Sequence, residues 1–258
     1  MSKSKTKSTP TTATTIRLAL LSGNRCANPN CRCEIVSPDG RENVGESAHV
    51  HGRSDGGPRA IRDLSDEARN SIDNLIYLCS NCHTRIDQNA DAYPAELLFE
   101  WKETHRKRVA NGMGTEFAKI AFEDLDIAAD RIIKLSEEEI KTTGDFEKPL
   151  IKLKEKIQKH KLSSDSKFLI NNAYFAVSTV REFIRTHTSE ESEATPFSER
   201  IRSGILMIYH RHRGAGLIHD ELFLSMLYEL KGALSLGQQA AVTALVVYYM
   251  EHCDLFSE

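Results

Sequence analysis

The stretch NLIYLCSNCHTRID, residues 74–87, decides how this chain is read. Asn74 to Leu78 is a compact apolar run of strand length that ends in Cys79. Cys79 to Gln88 reads as a short helix, which places Cys82, His83 and Asp87 on one element. Cys79-x2-Cys82 has an upstream counterpart in Cys26-x4-Cys31, and both pairs have turn-forming neighbours, Asn28-Pro29-Asn30 and Ser80-Asn81. Zinc takes four thiolates tetrahedrally at about 2.3 Å, so two such pairs can close a structural site with no open position. Few large apolar residues lie near them, and a metal staple suits so thin a core. Four free buried thiols are the plainer alternative, and Cys33 is a possible substitute for Cys31.

Composition sets the frame. The chain has 258 residues, 40% hydrophobic and 28% charged, which is ordinary globular material for one or two domains. Its longest apolar stretch, Ala240 to Met250, is too short to span a bilayer and reads as a buried helix. The polar start, MSKSKTKSTPTTATT, carries Lys3, Lys5 and Lys7 without an apolar segment. It is expected to be a disordered basic tail over residues 1–15 rather than a secretory signal. A soluble, cytoplasmic protein with no membrane association follows. Five of the six cysteines fall in the first third, and disulfides are rare in a reducing compartment, so clustered pairs favour metal. Residues 1–112 carry 16 Lys/Arg against 14 Asp/Glu, and residues 113–258 carry 18 against 23. A mildly basic front and an acidic back hint at different partners.

Working outward, Thr15 to Ser22 has helical spacing and stops at Gly23. Cys33–Val36 and Glu46–His51 read as short strands in a turn-rich region. Pro94 opens a helix with Leu97, Leu98, Trp101 and His105 on one side, ending near Asn111-Gly112. The acidic segment 113–160 is expected to be an irregular linker. Beyond it, Leu169, Ala173, Ala176, Val177, Val180, Phe183 and Ile184 form one helical stripe. Thr195-Pro196 starts a helix that stops at Gly214, Asp220 to Leu234 is amphipathic, and Gln238 to His252 is apolar nearly all round. The Ser/Glu-rich piece Thr188–Ala194 reads as a loop. The expected fold class is α+β: a small zinc-stapled domain over 16–112, then an all-α helical domain over 161–258.

Between the cysteine pairs lie Glu46-Ser47-Ala48-His49-Val50-His51-Gly52, then Asp55-Gly56-Gly57-Pro58-Arg59, then Asn74, His83 and Asp87. In that order the sequence resembles the HNH endonucleases of the zinc-stapled ββα-metal kind. AHV is the first motif, NLIYLCSNCHTRID the last, and the likeness covers about residues 16–110. The resemblance implies phosphodiester hydrolysis of DNA. Nothing in the sequence separates RNA from DNA, and a zinc-dependent binding module that does not cut is the alternative.

The chemistry suits the residue types. A neutral imidazole is the natural base for activating water near pH 7, and His49 is the candidate. Asn74, which in the family orients that loop or touches the metal, is the positioner. His83 and Asp87, four apart on one helical face, can grip one divalent cation, for which Mg²⁺ or Mn²⁺ fits. His83 is also an alternative zinc ligand in place of Cys82. Where many HNH enzymes have an acid beside the first histidine, this chain has Ala48. Strand alternation would put His49 and His51 on one face and Glu46 on the other, making His51 the substitute ligand or a surface residue. Arg53, Arg59 and Arg62 and the cluster Arg106-Lys107-Arg108 are candidate phosphate contacts, the latter equally explained by a helix C-terminus. No aromatic row or base-reading helix is apparent, so sequence preference is expected to be weak.

The back half carries no catalytic constellation. His210-Arg211-His212-Arg213 reads as a solvated helix end, and Cys253 as a small core hydrophobe. The segments PFSERIRSGILMIYHRHRGAGLIHDELFLSMLYEL and QQAAVTALVVYYMEHCDLF resemble the C-terminal domain of nucleases in prokaryotic ABC-three-component defence systems. That resemblance implies an effector against phage or other foreign DNA, docked on an SMC-like ABC ATPase and a small middle component. The helical domain is thus expected to bind proteins or to form homo-oligomers.

Overall fold

The computed structural model describes residues 9–31, 33–36, 43–137, 152–188, 195–253 and 255–257. It is mostly helical with one small two-stranded antiparallel sheet, an α+β arrangement. The chain divides into two compact units, Met1–Asn111 and Gly112–Glu258.

In the first unit, helix α1 (Thr12–Leu21) is capped by the Thr11 hydroxyl, which accepts from the Thr14 amide. The helix therefore begins three residues before its expected start and takes in the end of the anticipated tail. Residues 1–8 of that tail lie outside the described residues. Strand β1 (Gly45–His49) pairs antiparallel with β2 (Leu75–Cys79), and His49 stands opposite Leu75. Every residue of β2 is buried, which explains its unbroken apolar run. Between the strands lie a short helix, α2 (Asp66–Asn70), and a 3₁₀ turn at Ile72–Asn74. Helix α3 (Ser80–Gln88) follows β2 directly, with Cys79 as its N-cap, and α4 spans Ala95–Lys119. The expected strand Cys33–Val36 is reduced to two isolated bridges, Arg25 with Glu34 and Val36 with Asn43. The core of this unit is thin: Leu18, Ile35, Val50, Leu75, Ile76, Leu78, Ile86 and Leu98 are its large buried aliphatics.

Two helical expectations are corrected. Helix α4 does not stop at Asn111-Gly112 but runs to Lys119. A glycine inside a helix costs only about 1 kcal/mol, and Met113 and Phe117, one helical turn apart and both buried, offset it. The segment 113–160 is likewise no irregular linker where it is described. It contains α5 (Phe122–Glu137) and α6 (Leu153–Lys159), and α5 buries Leu125, Ala128, Ala129, Ile132 and Ile133. Acidic residues on the exposed face of α5 had masked that stripe. Residues 138–151 lie outside the described residues, as do 189–194 of the expected Ser/Glu-rich loop.

The described residues of the second unit form helices and their connections, with no strand among them. The stripe from Leu169 to Ile184 belongs to two helices, α7 (Ser164–Tyr174) and α8 (Val177–Thr188). They are separated at Phe175-Ala176, where the amides bond back only three residues, to the Asn172 and Ala173 carbonyls. Then come α9 (Phe197–Gly214), α10 (His219–Lys231) and α11 (Leu236–His252). Helix α11 starts with a capping box between Ser235 and Gln238 and is buried almost throughout, packing against α5, α7, α8 and α10. Its C-terminus is tied down by a fully buried Lys156. The ammonium donates to the carbonyls of Met250 at 2.7 Å, Cys253 at 2.6 Å and Leu255 at 2.6 Å. Cys253 is buried, as expected of a small hydrophobe. Arg211 and His212, at the end of α9, are not simply solvated: both meet the Glu229 carboxylate on α10, His212 at 2.7 Å. Among the described residues no helix is long and apolar enough to cross a membrane.

Candidate functional site

Cys26 and Cys31 flank the turn after α1, Cys79 ends β2, and Cys82 sits in the first turn of α3. Their sulfurs all lie within 4.8 Å of one another, close enough to hold a metal ion. The turn is built for this. Cys31 N–H donates to the Asn28 carbonyl, Asn28 Oδ1 accepts from Asn30 N–H, and Asn28 Nδ2 donates to Cys82 Sγ at 3.3 Å. Cys26 Sγ accepts from the Cys79 amide at 3.4 Å. Donors aimed at sulfur favour thiolates, as does the N-terminus of α3. Burial pushes the Cys26 thiol well up and the Cys82 thiol to about 11. Burial opposes the Cys79 thiolate too, but the Cys82 amide and neighbouring thiols outweigh it and hold Cys79 below its ordinary value. Tetrahedral sulfurs at about 2.3 Å from zinc stand about 3.8 Å apart, and Cys31 and Cys79 are 3.9 Å apart. The donor set fits a thiophilic cation. Cys33 stays outside the quartet, with its thiol donating to the Glu34 carbonyl at 3.2 Å.

A second group of polar side chains lies where β1 meets α3. His49, the last residue of β1, donates Nε2–H to Asn70 Oδ1 at 3.1 Å. Asn70 is fixed in turn, because its amide donates to the Asp66 carbonyl at 2.9 Å. That bond leaves His49 Nδ1 as the basic nitrogen. Burial lowers the His49 pKa, against the raising effect of the Asn70 bond, and Arg53 and His83 lower it further. The imidazole is therefore neutral at pH 7.

On α3, His83 stands between two carboxylates: Nδ1–H donates to Glu46 Oε2 at 2.5 Å, and Nε2 lies 3.4 Å from Asp87 Oδ2. The Asp87 bond is the main force raising the His83 pKa, with Glu46 adding to it against burial. Burial works to raise Asp87, but its contacts with His83 and Arg59 prevail and keep it ionised.

Arg59 departs from its expected role. Its side chain is only 5% exposed, and its guanidinium donates to Asp87 Oδ1 at 2.5 Å, Val50 O at 2.8 Å and Ile86 O at 2.7 Å. A guanidinium committed to these acceptors is a brace between the His49 loop and α3, not a phosphate contact. Its left-handed backbone, φ 54°, is held by the same bonds. Arg53 and Arg62 are exposed. Lys107 and Arg108 are exposed as well, with Arg106 half-buried, but all three lie inside α4 rather than at its end. The dipole explanation for that cluster no longer applies.

Asn74 is buried and clamps the loop backbone. Its Oδ1 accepts from His51 N–H, and its Nδ2 donates to His51 O and Arg69 O, all at 2.9 Å. With its amide consumed this way, Asn74 orients the loop and does not face a cation. His51 lies beyond the end of β1, so strand alternation does not reach it. Its Nδ1–H donates to Arg59 O at 3.2 Å and its ring packs on Phe99.

Three residues of this site escaped the sequence reading: Glu46, Asn70 and Arg69. Arg69 is buried and gathers the loop through Leu64 O at 3.0 Å, Gly52 O at 2.6 Å, Ile61 O at 2.9 Å and the Asp55 carboxylate. Gly52 is required there, since a Cβ would come within 2.5 Å of the Pro58 carbonyl. No local pattern marks these residues, because each acts on a partner distant in sequence. Neither a scan of protein families nor a search of curated proteins finds a match to this chain.

Proposed function

We propose that this protein is an HNH endonuclease of the ββα-metal kind, which hydrolyses DNA phosphodiester bonds with low sequence specificity. The observation that carries the reading is the placing of His49, held through Nε2 by Asn70 at the end of β1, beside the His83–Asp87 pair on the adjoining α3, and burial lowers the His49 pKa in keeping with it. An imidazole with one free lone pair accepts a proton from water. An imidazole nitrogen and a carboxylate oxygen 3.4 Å apart suit one divalent cation, because neighbouring ligands on an octahedral ion at about 2.1 Å stand about 3 Å apart. Mg²⁺ or Mn²⁺ bound by His83 and Asp87 would stabilise charge on the phosphate and on the leaving oxygen. His49 Nδ1 takes the proton of the attacking water as the P–O bond to the leaving oxygen breaks. Arg59 and Asn74 hold the His49 loop against α3 so that base and cation pair keep one geometry. Arg53, Arg106, Lys107 and Arg108 remain for phosphate contact, and the four-thiolate centre is assigned to structural zinc. The helical unit would dock partner proteins, an SMC-like ABC ATPase with a small middle component or a second copy, placing the enzyme as a restrained effector of anti-phage defence.

The test is supercoiled plasmid incubated with the full chain in Mg²⁺, Mn²⁺ or EDTA, beside His49→Ala. The expected result is cation-dependent nicking that disappears in the variant while zinc content and folding persist. Undiminished nicking by His49→Ala removes the assignment. A wild-type protein that binds zinc but no second cation, and never cuts even with candidate partners added, supports a non-catalytic zinc-dependent binding module instead.

A further inference from the structure

Within that nuclease reading, on which this inference rests, we infer that Glu46 is the carboxylate that positions His83 for cation binding, serving the site where the chain has Ala48 instead of an acid. Glu46 lies on β1, three residues before His49, and its Oε2 receives Nδ1–H of His83 from the facing helix at 2.5 Å. The opposite ring nitrogen, Nε2, is the one that faces Asp87 Oδ2. An unbroken chain of contacts results: Glu46 to His83 Nδ1, His83 Nε2 to Asp87 Oδ2, and Asp87 Oδ1 to Arg59. Arg59 in turn holds the Val50 carbonyl beside His49.

The chemistry behind this is general. An imidazole binds a cation through one nitrogen only when the proton sits on the other, and a carboxylate on that N–H fixes both tautomer and ring plane. It also makes the ligating nitrogen more basic. Glu46 cannot serve equally well as a direct ligand beside Asp87. The two carboxylates grip opposite edges of the His83 ring, and among the described residues the only group of three or more donors converging on one point is the cysteine quartet. Ser47 and Ala48, the intervening residues, offer no carboxylate.

The experiment measures Mn²⁺ binding by electron paramagnetic resonance on the full, zinc-loaded chain, comparing wild type with Glu46→Ala, Glu46→Gln and His83→Ala. Losing an outer carboxylate of this kind typically weakens metal affinity 10–100-fold. That loss is expected for Glu46→Ala, with His83→Ala abolishing the site. Glu46→Gln keeps an oxygen that accepts Nδ1–H and is expected to recover most of the affinity, which a ligating carboxylate would not permit. Zinc content and circular dichroism should match wild type in all three variants. Unchanged affinity in Glu46→Ala overturns the inference while leaving the nuclease reading intact, and so does Gln as damaging as Ala. No Mn²⁺ binding by wild type overturns the cation site itself, and both fall together.

Discussion

Asn74→Ala separates a backbone clamp from a metal ligand. In the folded chain the Asn74 amide satisfies His51 N–H, His51 O and Arg69 O at 2.9 Å each, in a buried position. Alanine leaves all three without that partner. At about 1 kcal/mol for each hydrogen bond, the loss is about 3 kcal/mol. For a unit of this size that lowers the melting temperature by on the order of 15 °C. The readout is built in, since the single tryptophan, Trp101, lies on α4 in the first unit and packs edge-on against Tyr93. Its emission during thermal and urea unfolding, with zinc saturating, reports this unit. Asn74→Asp sharpens the test. A carboxylate keeps the acceptor for His51 N–H but turns its other oxygen on two carbonyls, so the clamp requires Asp to be as damaging as Ala. A hard-cation ligand would tolerate Asp. The clamp is refuted by a loss below about 1 kcal/mol for Ala, or by wild-type stability and Mn²⁺ affinity in Asp.

On the proposed zinc assignment, Cys26→Ser or a strong chelator should release the metal and unfold the first unit at temperatures where the helical unit persists, seen as a red shift of Trp101 emission with most helical ellipticity retained. His105 is buried on α4 and donates Nε2–H to Ser22 O at 2.9 Å, and burial lowers its pKa below 6.5. It stays neutral in the folded state while the unfolded chain takes up a proton, so stability is lost as pH falls from 6.5 toward the folded value. Urea midpoints from pH 7.5 to 5 should fall more steeply in wild type than in His105→Gln, and parallel curves would remove His105 from this role. In the second unit, Lys156→Met strips three carbonyls of their shared donor. It should cost about 3 kcal/mol or more, with hydrogen exchange at the C-terminal end of α11 accelerating first.

What the sequence by itself determined is local. The apolar run before Cys79 forces a buried strand, the spacing through Asp87 a short helix, and the all-round apolarity of Gln238–His252 the buried α11. The cysteine spacings likewise predict the four sulfurs that the fold brings together. These follow because period and composition act over a few residues, and burial of the matching face is the only stable outcome. Tertiary structure decided the rest. Asn111-Gly112 is a stop signal overruled by the burial of Met113 and Phe117, and the acidic surface of α5 hid a core-facing stripe. The Arg59 side chain, exposed in any reading by composition, is buried because three carbonyls from two separate stretches, His49-Val50 and Ile86, converge on it. Glu46 meets His83 across 37 residues of chain, and Asn70 meets His49 across 21. Hydrogen bonds of a side chain to distant partners depend on the path of the backbone between them, which no local periodicity records.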